Sequence, residues 1–386
     1  MEQFIPLSIP NLEGNEEKYV LDAVRQGWVS TAGKYVTMFE ERLAAFLGAP
    51  AAAACQSGTC ALHLALLECG VGPGDGVIVP TLTFIAAVNP VKYQSARPIF
   101  MDCDDSLCMD PVKLKKFCQK ECEHADGRLV HKATGTHIKA VIVVHVFGNM
   151  ADMESIMDIA GTYGLKVIED ATEALGTRYV RGRYAGRYAG TIGDYGAYSF
   201  NGNKIITTGG GGALAAREAC RLEHMRYLST QAKDDPLFYV HHEVGYNYRM
   251  TNVQAAMGVA QMEELPEFII SKQRNYQIYK HLLEDFGYGK LLGFRHGTDA
   301  NHWFYSLEIF NKNETLRGIV ERMASIGIQT RPVWGLVHEQ KPYAGELAYE
   351  ITQAGRYQSR IINLPCSTNL KQGEIERVVL GLKRIF

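Results

Sequence analysis

Between residues 51 and 216, short apolar runs alternate with helical stretches, and that rhythm leaves few folds open. The runs fall at 51–56, 77–80, 98–103, 140–147, 166–170, 194–200 and 212–216. Uninterrupted apolar segments of this length read as strands buried on both faces, and their alternation with helices predicts a mostly parallel, seven-stranded sheet covered on both sides. Ahead of it, 5–8 is extended, a helix starts at Asn15 and runs to Val24, 27–33 is a loop, and a second helix spans 34–47. From about 273 the chain turns to helices with a few strands, among them 306–310, and to helices over 314–326 and 373–385. These predict a smaller C-terminal α/β domain. The boundary is expected at 265–272, beside Pro266, which gives a large domain over 1–265 and a smaller one over 266–386. A chain of 386 residues is long enough to bury a sizeable core in such an arrangement.

Several nucleotide-binding folds share this rhythm. A dinucleotide-binding sheet should carry Gly-x-Gly-x-x-Gly after its first strand, and this chain has Ser57-Gly58-Thr59 there instead. The later Gly190-Thr191-Ile192-Gly193 and the glycines at 209–212 do not stand between a strand and a helix in that way. A Walker-type loop also fails, because Lys204 precedes the glycine run instead of following it.

What Lys204 does have is a strand ending in Ser199 before it, a polar turn around it and four glycines after it. A lysine held in this way suits a Schiff-base nucleophile, since glycine lets backbone approach a ligand closely. Pyridoxal phosphate chemistry needs a lysine, a carboxylate for the pyridinium nitrogen, a phosphate cradle and a flat group against the ring. Asp170 ends the apolar run 166–170 and supplies the carboxylate, at the strand end that faces the ligand crevice of an open α/β sheet. Ser57, Gly58 and Thr59 stand between a strand and a helix, where free N–H groups and the helix dipole favour an anion. Phe84, after the strand at 77–80, is the flat group. Plainer roles exist for each: Asp170 and Ser57 as helix caps, Phe84 as core, Lys204 as a solvated loop residue.

The motifs Ser57-Gly58-Thr59, Glu169-Asp170-Ala171-Thr172-Glu173-Ala174-Leu175-Gly176, Tyr198-Ser199-Phe200-Asn201-Gly202-Asn203-Lys204 and Gly245-Tyr246-Asn247-Tyr248-Arg249 occur in the order seen in the DegT/StrS-type nucleotide-sugar aminotransferases. The chain resembles that family over essentially its whole length. Within it the chain looks closest to the LegC/PglE branch, through Gly27-Trp28-Val29-Ser30, Arg331-Pro332-Val333-Trp334 and the long segment 122–138. The resemblance implies a pyridoxal-phosphate transferase of fold type I (aspartate aminotransferase-like), with Lys204 and Asp170 catalytic. It places Glu173, one helical turn from Asp170, near the cofactor's O3′. Ser57, Gly58, Thr59 and Ser199 would hold the phosphate, and Asn247 would reach across a homodimer to the neighbouring subunit's phosphate.

The same resemblance implies transfer of the amino group of L-glutamate to C4 of a 4-keto-6-deoxy sugar carried on UDP or GDP, in synthesis of a legionaminic acid- or bacillosamine-type surface glycan. Trp28, Ser30 and Thr31 would lie near the sugar, and Arg249 near substrate or interface. A sugar nucleotide needs cationic donors and aromatic surface, which Arg331, Trp334, His338 and Tyr343 offer in one stretch. Amination at C3 is the nearest alternative. A non-catalytic regulator is a third, and a dehydratase relative would carry His in place of Lys204.

Formal net charge is −2 with no basic block, which argues against nucleic acid as a partner. No segment has the length and hydropathy of a membrane span, and no basic-then-apolar leader begins the chain, so a cytoplasmic location is expected. Nine scattered cysteines fit a reducing compartment. Cys118 and Cys122, expected on one helix face, stand upstream of His124, His131 and His137, but the absence of a Cys-x-x-Cys knuckle and the loop-like segment argue against a metal.

Overall fold

The computed structural model describes residues 3–235, 237–310 and 314–386. All seven apolar runs become strands of one sheet: β1 (Ala52–Cys55), β2 (Gly76–Pro80), β3 (Arg97–Met101), β4 (His137–Val144), β5 (Lys166–Asp170), β6 (Tyr195–Ser199) and β7 (Gly212–Ala216). Across the sheet they lie in the order β1-β7-β6-β5-β4-β2-β3. Only β7 runs against the rest: it is antiparallel to both β1 and β6, while the other neighbours are parallel. Every residue of β1, β2 and β7 is buried, as a sheet covered on both faces requires.

The segment 122–138 is a hairpin, not a loop. Cys122–Ala125 pairs with Arg128–His131, and the second of these pairs with β4. Cys118 and Cys122 therefore share no helix face, because the helix ends at Lys120 and Cys122 opens the hairpin. A short strand, Ala348–Tyr349, closes the opposite edge by pairing with β3. Among the described residues no helix is long and apolar enough to cross a membrane.

The helices Glu16–Arg25 and Lys34–Leu47 pack on a 31-residue helix, Asn252–Leu282. That helix passes unbroken through Pro266, so the expected boundary falls inside a continuous helix. Beyond it lies a four-stranded sheet in the order Gly289–Leu291, Tyr305–Ile309, Ile361–Leu364, Arg331–Pro332, all antiparallel. The N-terminal stretch also joins this C-terminal part: the Ile5 N–H donates to the Gly327 carbonyl at 2.8 Å, and the Cys366 N–H to the Leu7 carbonyl at 2.7 Å.

Five parallel strands, β1, β2, β4, β5 and β6, end on the same side of the large sheet. The segments that follow them carry Ser57, Phe84, Phe147, Glu173 and Lys204, so they converge on one crevice at the carboxyl edge.

Candidate active site

At that edge lies a cavity of about 390 Å³. Its walls bring together nine of the residues that the sequence singles out: Ser57, Gly58, Thr59, Phe84, Asp170, Glu173, Ser199, Lys204 and Trp334. They come from five separate stretches of chain, 57–59, 84, 170–173, 199–204 and 334, and the fold makes them neighbours.

Lys204 sits in a turn after β6, its N–H donating to the Asn201 carbonyl at 3.0 Å. Its Nζ lies 3.7 Å from Glu173 Oε1 and 4.3 Å from the centre of the Trp303 ring. Glu173 is buried, and its Oε2 accepts the Phe147 N–H at 2.8 Å. Burial pushes the Glu173 carboxyl up to about 7, against the opposing charge of Lys204. Residues 171–176 form turns and no helix, so the chain reversal after β5, not a helical turn, brings Glu173 back beside Asp170.

Asp170 is buried at the end of β5. Its Oδ1 accepts the Thr172 N–H at 3.0 Å, so it caps a turn where a helix cap was one expectation. Burial also raises its carboxyl, with Thr172 and Lys204 opposing. Glu169, one residue earlier and so on the other sheet face, anchors the strand end. It accepts His145 Nε2 at 2.8 Å and the N–H groups of Gly190, Ile192 and Gly193 at 2.9, 2.6 and 2.6 Å. Burial works to raise this carboxyl, but these donors outweigh it and hold Glu169 below its ordinary range. His145 Nδ1 accepts the Ala151 N–H at 3.2 Å, which leaves the imidazole proton on Nε2.

The opposite wall is the start of the helix Gly58–Glu68. Ser57 caps it, accepting the Cys60 N–H at 3.1 Å. The N–H groups of Gly58 and Thr59 fall in the first turn, where no intrahelical acceptor exists. A Cβ on Gly58 would come within 2.8 Å of Thr172 Cγ2 and 3.0 Å of Ser199 Cβ, so only glycine lets the helix end close on the cavity. Phe84 stands at the rim, 54% exposed although it lines the cavity.

The residues expected at the substrate end are not gathered in the same way. Trp28, Ser30 and Thr31 are exposed and outside the cavity wall; the carbonyls of Trp28 and Ser30 accept Asn252 Nδ2 and the Asn252 N–H. Arg249 is bound within the chain, donating to the Glu40 carboxylate and the Ala54 carbonyl beside β1. That ion pair gives the buried Glu40 its counterion, and Arg249 does not line the cavity. Tyr343 is buried, and its hydroxyl donates to Asn89 Oδ1, so it belongs to the core. His338 Nδ1 is 2.6 Å from Thr81 Oγ1 and its ring lies by Phe100, again away from the cavity wall. Arg331 is exposed on the edge of the small sheet. Asn247 is exposed and does not line its own chain's cavity, although its segment lies beside the end of β1, where the Tyr248 carbonyl accepts the Gln56 N–H at 2.8 Å.

Sequence reasoning missed Gln56, Thr172, Asn201, Asn203, Trp303 and Phe304. It also missed Phe147, whose ring lies 4.6 Å from Trp334 and 6.2 Å from Trp303. The run His302-Trp303-Phe304-Tyr305 carried a usable signal, four consecutive rings leading into the strand Tyr305–Ile309.

A half-buried lysine beside two buried carboxylates, facing a glycine-started helix and rimmed by aromatic rings at the carboxyl edge of this sheet, defines a pyridoxal phosphate-dependent transferase of the α/β type. Residues 10–383 match the DegT/DnrJ/EryC1/StrS aminotransferase family, and the chain belongs to it. It is 37% identical to the putative pyridoxal phosphate-dependent aminotransferase EpsN of Bacillus subtilis (strain 168), covering 100% of this chain and 97% of that one. It is 35% identical to the GDP-perosamine synthase of Caulobacter vibrioides, covering 99% and 98%. Among solved structures, DesI in the presence of its TDP-sugar product superposes with a TM-score of 0.87 at 26% identity, over 100% of this chain and 93% of that one. Pyridoxal phosphate is thus the cofactor, and the cavity fits it: a cradle that a Cβ at position 58 would fill, a lysine at the centre and a carboxylate at the strand end.

Proposed function

We propose that this protein transfers the amino group of L-glutamate to C4 of a 4-keto-6-deoxy, 2-acetamido nucleotide sugar, UDP- or GDP-linked. In this reading it is a cytoplasmic enzyme of legionaminic acid- or bacillosamine-type surface glycan synthesis. The observation that carries the aminotransferase half is the Lys204–Glu173–Asp170 cluster inside a cavity whose rim is aromatic. When bound, the cofactor supplies an electron sink for proton removal next to an amine. Lys204 would hold it through Nζ and then move the proton. Asp170 would hold the charge at the ring nitrogen, Phe84 would cover a ring face, and Ser57, Gly58, Thr59 and Ser199 would take the phosphate. The rings of Trp303, Phe304 and Trp334 exclude water and offer the flat apolar surface that a sugar ring requires. Relatives whose names carry GDP- and TDP-sugars support a nucleotide-linked substrate. The LegC/PglE-like motifs at 27–30 and 331–334 support C4 and the acetamido group.

A homodimer completes the reading, with Asn247 of the partner subunit at the phosphate. Asn247 is exposed, and the preceding segment leaves Leu237 74%, Tyr239 74% and Val244 83% exposed, a surface that a second copy would cover. The decisive assay gives the enzyme glutamate with separate 4-keto and 3-keto sugars in UDP and GDP forms, and locates the new amine by NMR. Turnover confined to 3-keto sugars, or to keto acids without a nucleotide, would overturn the substrate assignment and leave the cofactor chemistry standing.

A further inference from the structure

Glu173 has a setting that its expected place near the cofactor's O3′ does not account for. One carboxylate oxygen is pinned and the other faces the lysine. The pin is the Phe147 N–H, and Phe147 takes φ of 56°, a left-handed backbone that a bulky residue rarely adopts. The turn is locked in that state. Gly148 follows with φ of 87°, and a Cβ there would lie 2.0 Å from Asn301 Oδ1. The Thr177 hydroxyl donates to the Gly148 carbonyl at 2.7 Å. Asn301 Nδ2 in turn donates to the carbonyls of Glu173 and Leu175, each at 3.0 Å. Backbone strain is therefore held in place to aim one N–H at Glu173 Oε2, which leaves Oε1 turned to Lys204 Nζ at 3.7 Å.

We propose that Glu173 is the proton acceptor of this site, taking onto Oε1 the proton that Lys204 gives up when its amine is recruited to the cofactor. The Nζ–H bond breaks with its electron pair left on nitrogen, and an O–H bond forms. A cation and an anion become a neutral amine and a neutral carboxylic acid. No other reactant enters. The 3.7 Å separation closes with a small torsional adjustment along the lysine's flexible stem. A glutamine would accept the Phe147 N–H equally well, so the hydrogen bond alone does not require a carboxylate.

The electrostatics have the matching sign. The groups facing Glu173 are Lys204, which lowers its carboxyl, Asp170, which raises it, and the Phe147 N–H, which lowers it, all against burial that raises it to about 7. When Lys204 loses its charge, its opposition disappears, and Glu173 binds a proton more tightly at the moment one is released.

The inference rests on Lys204 as the cofactor lysine, so its test uses cofactor-free protein. The Glu173 carboxyl carbon is followed by NMR in protein labelled with carboxyl-13C glutamate, and assigned by the signal lost in Glu173→Gln. It should titrate near neutral pH in the parent protein and about 1–3 pH units higher in Lys204→Met. A midpoint in the ordinary glutamate range, or one that Lys204→Met leaves in place, would overturn the proposal. Should Lys204→Met not fold, the rate of cofactor capture in Glu173→Gln decides. The near-neutral limb of its pH profile should be lost, and an unchanged profile counts against the proposal. A normal coupled titration together with cofactor trapped on a different lysine would instead overturn the reading of Lys204 and leave the proton coupling intact.

Discussion

The two ends of the active-site crevice differ in how they are built. At the cofactor end, Gly58, Asp170, Glu173, Ser199 and Lys204 all line one cavity, and the strand ends fix most of them. At the expected substrate end, Trp28, Ser30, Thr31 and Arg331 are exposed and scattered, while Arg249 and Tyr343 have intrachain partners. The cofactor end is set by backbone: a helix start, turn geometry and a glycine contact admit few residue types. A nucleotide sugar is a large ligand bound by side chains on loops, and such contacts leave a weaker trace in a sequence.

The largest expected contrast comes from Lys204→Ala, which on the proposed reading removes both the cofactor attachment and the proton carrier. Turnover should fall by about 10⁴-fold or more with the fold intact by circular dichroism. Retained turnover would dissolve the distinction between the two ends.

Glu173→Gln sharpens the contrast through pH. The folded-state carboxyl is raised from 4.5 to about 7, so its stabilising contribution is complete below pH 4.5 and is lost as pH rises to 7. At about 1.4 kcal/mol per pH unit, the charged form costs the cofactor-free protein up to about 3 kcal/mol above pH 7. Glu173→Gln should therefore raise the melting temperature of that protein at pH 8 and make little difference at pH 5. Equal effects at both pH values would contradict the burial argument.

Gly58→Ala follows, with about 1–3 kcal/mol lost to the clash with Thr172 and Ser199 and a weakened grip on the phosphate. Equilibrium dialysis of the cofactor measures the second part. Cofactor affinity equal to the parent's would mean that the helix start does not face the phosphate.

The smallest effect belongs to Tyr343→Phe. Losing the hydroxyl bonded to Asn89 should cost about 1 kcal/mol in denaturant unfolding and leave KM for the sugar nucleotide unchanged. A raised KM without a stability change would return Tyr343 to the substrate site.

All seven strands were legible because a sheet covered on both faces is built from short apolar runs, and β2 shows it: Gly76–Pro80 is buried at every residue. Lys204 and Asp170 stand out in the sequence as local motifs at strand ends, and both line the cavity. The hairpin at 122–131 was not legible, since its strands carry Glu123, His124 and Arg128 on an exposed edge and lack an apolar pattern. Nor was Phe147: a left-handed phenylalanine leaves no mark in the sequence, and its contact with Glu173 spans 26 residues. Tyr343 and Trp334 illustrate the remaining difficulty. Both are aromatic residues in the same stretch, yet one is core and the other lines the cavity, a difference settled only by packing.

The central claim, that the lysine of the cofactor end carries the chemistry, meets its most direct test in covalent capture. Protein loaded with pyridoxal phosphate is reduced with borohydride, digested and mapped by mass spectrometry. The cofactor's mass should appear on the peptide that contains Lys204, and should be missing after Lys204→Ala. Its appearance on any other lysine, or its persistence in that variant, would contradict the account.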